Sequence, residues 1–375
     1  MKKKLKVIHI ITDKNIGGAG RWLLNFLSYY DRDKLDVKVI LPDDSLLAPE
    51  VERLGTERIS IKDLKESSYD KESVKKFKEV FQKENPDVVH THASLAARMG
   101  AKEAKVPVIV NTKHCMEDLS IGFIKKQARK SMYKKYTDMI IAVSEAVKDS
   151  LIEGGCPPGL VRMIYNGVRP LEIRPAEEVR KFRESLGFSE TDFVAGMAAR
   201  LEEIKDYDTF INAAADVKSR EPDIKFVIMG TGSEEERLKA LAKEKNLSGT
   251  LAFAGFISDM ELAMNALDIN VLTSKSEAIS LSIAEGMTLG LPALGTRAGG
   301  IPEAIADGVT GELFDVGDSA ALAEKIISLR KDAEKRKSYS EKAKETALTK
   351  FSPDKMCREL EDLYIELYLK KGKEI

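Results

Sequence analysis

Short apolar runs alternate with amphipathic stretches along almost the whole chain. Residues 5–12, 37–41, 87–90, 108–112 and 139–143 are brief, rich in β-branched side chains and followed by polar punctuation, the pattern of parallel strands buried on both faces. Between them, residues 20–30, 71–83 and 145–153 space their apolar side chains as helices do. Strands and helices in this alternation predict βαβ units and a doubly wound sheet. The pattern pauses at Asn166-Gly167, and Arg169-Pro170 through Pro175 reads as a connection. A second series follows, with strands predicted at 193–199, 225–229, 250–254, 269–272 and 292–294. The fold class is therefore α/β, with two Rossmann-like parallel-sheet domains over residues 1–168 and 169–352. Residues 353–375 form a long amphipathic helix opened by Ser352-Pro353. A simple terminal cap and a helix crossing back to the first domain both fit it, and the crossing is expected.

Composition agrees with two globular domains, since 375 residues exceed what one core organises and 43% hydrophobic with 32% charged residues suffices for buried cores. The 60 basic and 61 acidic residues leave no electrostatic footprint for nucleic acid, which is excluded as a partner. Cys115, Cys156 and Cys357 show no paired spacing, so neither a disulfide framework nor a zinc site is implied, and a reducing compartment fits. The start is basic, but its apolar run is too short and interrupted for a secretory leader, and no run spans a bilayer. A cytoplasmic location, free or peripheral on the inner face of a membrane, is expected.

The chemistry concentrates in residues 276–292. A strand ending at Leu272 leads through a short loop to a helix starting at Leu281, which Gly290 stops before Pro292. The backbone of Ile279, Ser280 and Leu281 then offers N–H groups at the positive end of a helix dipole, a seat for a diphosphate. Glu277 and Glu285 flank that seat and can accept hydrogen bonds from sugar hydroxyls. Arg200 and Lys205 follow the strand 193–199, at the carboxyl edge where ligands of open α/β folds bind. They suit a departing diphosphate, although surface pairing with Glu202, Glu203 or Asp206 is the bland alternative. In the first domain, Gly17 and Gly18 join strand to helix, where glycine lets a ligand approach the backbone. A dinucleotide fingerprint fails there on spacing, and a tight structural turn is the competing reading. His9 reads as a core residue. His90-Thr91-His92 hints at a metal, but no third ligand is apparent nearby, and none is expected.

These residues resemble the retaining glycosyltransferases of family 4, which have the GT-B fold of two domains facing across a cleft. Glu277 and Glu285 match that family's Glu-x7-Glu signature, Arg200 with Lys205 its Arg-Leu-x-x-x-Lys clamp, Asn166-Gly167-Val168 its junction element, and Gly299-Gly300-Ile-Pro-Glu303 its Gly-Gly-x-x-Glu. The resemblance implies an N-terminal acceptor domain and a C-terminal donor domain binding a nucleotide-sugar, UDP being the commonest. It implies that Glu277 holds the donor sugar, Glu285 the ribose, the backbone at Phe256 and Ile257 the base, and that His114 orients substrate or handles a proton. It also implies retention of anomeric configuration. No cofactor is expected beyond the nucleotide-sugar substrate, and no metal, because Arg200, Lys205 and amides can take over a cation's role. The chain departs from the family at Ala278-Ile279-Ser280 and at Asp206, where glycine is usual.

Residues 121–136 carry Lys125, Lys126, Arg129, Lys130, Lys134 and Lys135 with no acid, beside Phe123 and Ile124. Such a helix fits an anionic membrane surface, and equally a solvated basic face. The membrane reading points to a lipid-linked or other glycan acceptor in cell-surface polysaccharide or glycolipid synthesis. A sugar-nucleotide epimerase of the same architecture, and a non-catalytic nucleotide-sugar binder, are the alternatives.

Overall fold

The computed structural model describes residues 3–62, 64 and 68–375; Met1 and Lys2 of the basic start lie outside it. The chain divides into two compact units, one comprising residues 1–168 and 351–375, the other 169–350.

The first unit holds a seven-stranded sheet: β1 (Leu5–Ile10), β2 (Leu35–Leu41), β3 (Glu57–Ser60), β4 (Val88–Thr91), β5 (Val108–Lys113), β6 (Met139–Ala142) and β7 (Val161–Met163), in the order β3-β2-β1-β4-β5-β6-β7. All its pairings are parallel. The second unit holds β8 (Phe193–Ala198), β9 (Ile224–Met229), β10 (Leu251–Gly255), β11 (Ile269–Leu272), β12 (Ala293–Thr296) and β13 (Gly311–Phe314), ordered β10-β9-β8-β11-β12-β13 and again parallel. Each sheet changes winding direction once, between β1 and β4 and between β8 and β11. Ligands of open α/β sheets bind outside the carboxyl ends at that switch.

The apolar runs form strands because helices cover both faces, so β4, β6 and β11 are buried at every position. Three strands depart from the sequence expectation of five per domain. β3 and β7 are exposed or half-buried edges with no buried apolar run to mark them. β13 begins at Gly311, where a Cβ would lie 1.9 Å from the Ala293 carbonyl oxygen, so a glycine ordinarily weak in strands is required.

The helix Pro353–Lys370 belongs to the first unit. Ser352 caps it by accepting from the Lys355 amide, and Met356, Cys357, Leu360, Tyr364 and Leu367 pack it against the helix Gly18–Tyr29. Asn166-Gly167-Val168 is clamped to its start: Val168 N–H donates to the Phe351 carbonyl at 2.9 Å, and the Asn25 amide donates to the Gly167 carbonyl at 2.8 Å. A Cβ on Gly167 would meet Pro353 Cα at 2.4 Å.

A methyl group at Gly167 thus strikes backbone that cannot rotate away, whereas Gly18 has nothing within 4 Å of a built Cβ. Gly167→Ala is expected to cost about 1–3 kcal/mol of unfolding free energy in urea, with Gly18→Ala within about 0.5 kcal/mol of the parent; equal effects would contradict this packing.

Candidate active site

In the second unit the loops leaving β8 and β11 are joined. Arg200 stands just past β8, and a short 3-10 turn, Glu203–Lys205, brings Lys205 toward β11. There the Lys205 ammonium donates to Glu277 Oε1, and Ser274 Oγ donates to the same oxygen at 3.0 Å. Thr273 Oγ1 lies 2.8 Å from both the Lys205 and Asp206 carbonyl oxygens, and the Lys275 amide donates to the Ile204 carbonyl at 2.8 Å. Glu277 is also fixed through its backbone. Its carbonyl accepts from the Gly300 amide at 2.9 Å, and Gly299, at φ +52°, packs so closely that a Cβ would lie 2.1 Å from that oxygen. The Gly299-Gly300 pair is therefore a seat for Glu277.

Asp206 has φ +51°, a left-handed conformation open to glycine and tolerated by aspartate, which explains how it replaces glycine here. Its carboxylate accepts from Thr209 Oγ1 at 2.6 Å.

The Arg200 carbonyl accepts from the Glu202 amide at 2.9 Å, while its exposed side chain makes no hydrogen bond or ion pair among the described residues. The expected surface partners are engaged elsewhere: Glu203 with Lys275, Glu202 with Ser233. Ser280 caps the helix Leu281–Thr288 by accepting from the Ile283 amide at 3.2 Å. That uses the Ile283 amide, while the amide of Leu281, which the sequence offered, and that of Ser282 have no partner among the described residues. Ile279 is buried and Glu285 half-exposed one turn into this helix. Phe256 and Ile257 follow the edge strand β10; Phe256 is 77% exposed, and no hydrogen bond joins either to the Lys205–Glu277 pair.

Two further glycines escaped the sequence reading. A Cβ on Gly230 would approach the Ala199 carbonyl oxygen to 2.1 Å, and one on Gly232 the Leu201 carbonyl oxygen to 2.3 Å, so the turn after β9 braces both neighbours of Arg200. The signal was a Gly-Thr-Gly directly behind a strand.

In the first unit, Gly17 and Gly18 open the helix Gly18–Tyr29 after β1. Neither has positive φ and no atom crowds them, and the Gly17 amide donates back to the Asn15 carbonyl at 3.1 Å in a three-residue turn. His114 follows β5. The expectation that no third ligand lies near His90 and His92 is corrected: β1 pairs with β4 in a register that sets His9 beside His90, and ring nitrogens of His9, His90 and His92 lie within 4.8 Å of one another. The contact is invisible to sequence spacing because it crosses between strands. Three imidazoles could hold a metal, but a cation there would have to displace the hydrogen bonds each ring already makes. Burial lowers the pKa of His9 and of His114 to about 3 and that of His90 and His92 well below the usual value, with their neighbouring rings adding to the last two.

The basic stretch forms the helix Phe123–Tyr136, with Phe123 74% and Ile124 83% exposed. Lys125 and Lys130 are exposed and Lys126 half-exposed. Arg129 is a correction to the membrane-facing set: it turns inward to Glu117 at 2.7 Å and donates to the Asp118 carbonyl. Glu117 also takes Lys113 at 2.8 Å and the Tyr133 hydroxyl at 2.6 Å. Burial alone would raise the Glu117 carboxyl, but Lys113, Tyr133 and Arg129 hold it below the ordinary range. This cluster ties the helix to the segment carrying His114.

Residues 178–346 match the family model of glycosyl transferases group 1, and residues 16–170 that of glycosyltransferase family 4. The chain belongs to the family-4 glycosyltransferases. Among relatives of this glycosyltransferase, a putative glycosyltransferase EpsD of Bacillus subtilis is 30% identical over 77% of this chain and 79% of its own. The UDP-Gal:alpha-D-GlcNAc-diphosphoundecaprenol alpha-1,3-galactosyltransferase of Escherichia coli is 26% identical over 98% of both chains. HepE of Anabaena, crystallised with UDP and glucose, matches 96% of this chain and 100% of its own at a TM-score of 0.84 and 22% identity, a likeness that shows the GT-B fold.

A histidine whose pKa is lowered by folding binds its proton more readily when unfolded, so acid favours unfolding once the pH drops below about 6.5, and its stabilising share is lost as pH falls toward 3. The glycosyltransferase is expected to lose stability steeply on acidification. Urea titrations at pH 7 and pH 5 should give His114→Gln a shallower loss, by on the order of 1 kcal/mol per pH unit; an identical loss would contradict a His114 that the fold holds neutral.

Proposed function

We propose that this glycosyltransferase takes a UDP-sugar donor, retains the anomeric configuration and works without a metal ion. The observation that carries the reading is the Arg200 side chain, exposed and unpartnered among the described residues, on the loop after β8 at the switch point of the second sheet that also carries Lys205 of the Lys205–Glu277 pair. Negative charge grows on the diphosphate oxygen as the glycosidic bond breaks, and preorganised cations and amides aimed at it lower the barrier. Arg200, Lys205 and the Leu281 and Ser282 amides supply that charge. Lys205 neutralises Glu277 before the donor arrives and shares itself with the diphosphate afterwards. Glu277, held by Ser274 and by its seat under Gly299-Gly300, turns its remaining acceptor capacity to the sugar's hydroxyls. Glu285 takes the ribose, and the backbone at Phe256 and Ile257 edges the base. In the first unit, Gly17 and Gly18 give a bound substrate room at a helix N-terminus, and His114 orients a substrate group. The UDP named for the Anabaena protein and the UDP-galactose named for the E. coli relative support the choice of donor.

The acceptor we propose is a lipid-linked glycan at an anionic membrane. No helix among the described residues is long and apolar enough to cross a membrane. The helix Phe123–Tyr136 offers instead two exposed apolar side chains at its start and exposed Lys125, Lys130, Lys134 and Lys135 behind them. The diphosphoundecaprenol acceptor named for the E. coli relative is of this lipid-linked kind.

Arg200→Ala removes a donor without breaking a fold contact. Its turnover with UDP-sugar and acceptor is expected to fall roughly 100-fold or more at unchanged thermal stability, and parent activity to survive a chelator; full turnover in the variant, or loss in chelator, would refute the respective claim. The paired substitution Phe123→Ser with Ile124→Ser should abolish co-sedimentation with vesicles rich in phosphatidylglycerol. Parent protein that ignores such vesicles would remove the membrane from the account.

A further inference from the structure

The first unit contains an unbranched chain of four imidazoles, a phenol and a hydroxyl. From the surface inward, His114 Nε2 lies 2.8 Å from His92 Nδ1, His92 Nε2 3.3 Å from His9 Nδ1, and His9 Nε2 3.5 Å from Tyr364 Oη. Tyr364 Oη lies 2.5 Å from His90 Nδ1, and His90 Nε2 2.7 Å from Thr112 Oγ1. His9, His90, Thr112 and Tyr364 are fully buried, His92 is 5% exposed, and His114 is the half-exposed end. Trp22 packs on His9, His90, His92 and His114 and keeps water from the rings.

A neutral imidazole carries one N–H and one lone pair, so a ring that donates on one side must accept on the other. Each ring therefore passes the direction on, while the Tyr364 hydroxyl, which can accept twice, allows three arrangements in all. In one, His9 Nε2–H and His90 Nδ1–H both donate to Tyr364, whose buried hydroxyl proton is left with no acceptor among the described residues. With donors pointing inward, each ring is protonated at Nε2 and Thr112 accepts from His90. The Thr112 hydroxyl must then donate elsewhere, and it has no other partner among the described residues. A buried hydroxyl proton without an acceptor bears the full cost of its lost hydration. With donors pointing outward, Thr112 donates to His90 Nε2, His90 Nδ1–H to Tyr364, Tyr364 to His9 Nε2, His9 Nδ1–H to His92 Nε2, and His92 Nδ1–H to His114 Nε2. Every buried group is satisfied. His114 then presents Nδ1–H, and that nitrogen has no partner among the described residues.

We propose that this chain, anchored by Thr112 and passed through Tyr364 of the C-terminal helix, fixes His114 as the Nδ1–H tautomer, so that it meets a substrate oxygen as a neutral hydrogen-bond donor and not as a base. The meeting with substrate rests on the function proposed above; the tautomer does not. Tyr364, His9, His90 and His92 are positioning residues that act through His114.

The chain holds only four histidines, so the test is direct. Full-length protein labelled with 15N in the histidine rings gives four ring systems in a two-bond proton–nitrogen correlation spectrum. All four are expected as Nδ1–H, the tautomer less populated by free histidine in water, with His114 identified by the signal lost in His114→Gln. A His114 ring protonated at Nε2, or one averaging between tautomers, overturns the proposal. So does an equimolar addition of Zn(II) that shifts the His9, His90 and His92 signals, which would make them a metal centre. Tyr364→Phe breaks the chain in its middle while leaving the ring in place, and is expected to let Nε2–H signals appear at His92 and His114; an unchanged spectrum in that variant overturns the coupling. If the four rings show the stated pattern but His114→Gln turns over at the parental rate, the functional reading of His114 fails while the ordering of the chain stands.

Discussion

Everything at the candidate site depends on one backbone contact, the docking of the Glu277 carbonyl under Gly299-Gly300. A parallel sheet delivers its loops to a single edge, but it does not fix a carboxylate on a loop. The glycine pair does so, because only a residue without a side chain can approach that carbonyl so closely, and because φ +52° at Gly299 is costly for other residues. With its main chain held, Glu277 can receive Lys205 and Ser274 on one oxygen, and the β8 and β11 loops become a single structure. Gly230 and Gly232 do the corresponding service for the neighbours of Arg200. The cations and the carboxylate are thus preorganised by backbone packing, the form of electrostatic stabilisation that requires no rearrangement during reaction.

The first sheet solves a different problem at its own switch point. Four histidines, three of them wholly buried or nearly so, would each leave a polar nitrogen without water. Linking ring to ring, and closing the line with Tyr364 and Thr112, satisfies them without a charge. The C-terminal helix is consequently more than a cover for apolar surface, since its Tyr364 reaches the interior of the sheet. The Glu117 cluster holds the next stretch of chain, so His114 is fixed from both the buried and the exposed side.

The alternation of elements was legible because strands buried on both faces must be apolar throughout, as in β4 and β11. Glu277, Arg200 and Lys205 were legible as candidates because they follow strand ends, and the structure brings Lys205 and Glu277 together. What the sequence could not carry was contact between strands. His9 read as core and His90-Thr91-His92 as an incomplete ligand set, although β1 and β4 are neighbours in register, a fact of topology and not of spacing. The edge strands β3 and β7 escaped because edges need no apolar run, and β13 because its first residue is a glycine demanded by a neighbour's carbonyl. Arg129 read as one of a row of cations, but helical periodicity turns it toward Glu117 while Lys125 and Lys130 face water.

The central claim is that the carboxyl edge of the second sheet is the seat of a departing diphosphate. A crystal structure of the protein with UDP measures it most directly. The account predicts the phosphates against the Leu281 and Ser282 amides, with Arg200 and Lys205 on their oxygens. A nucleotide bound away from these groups, with Arg200 still in solvent, would contradict it.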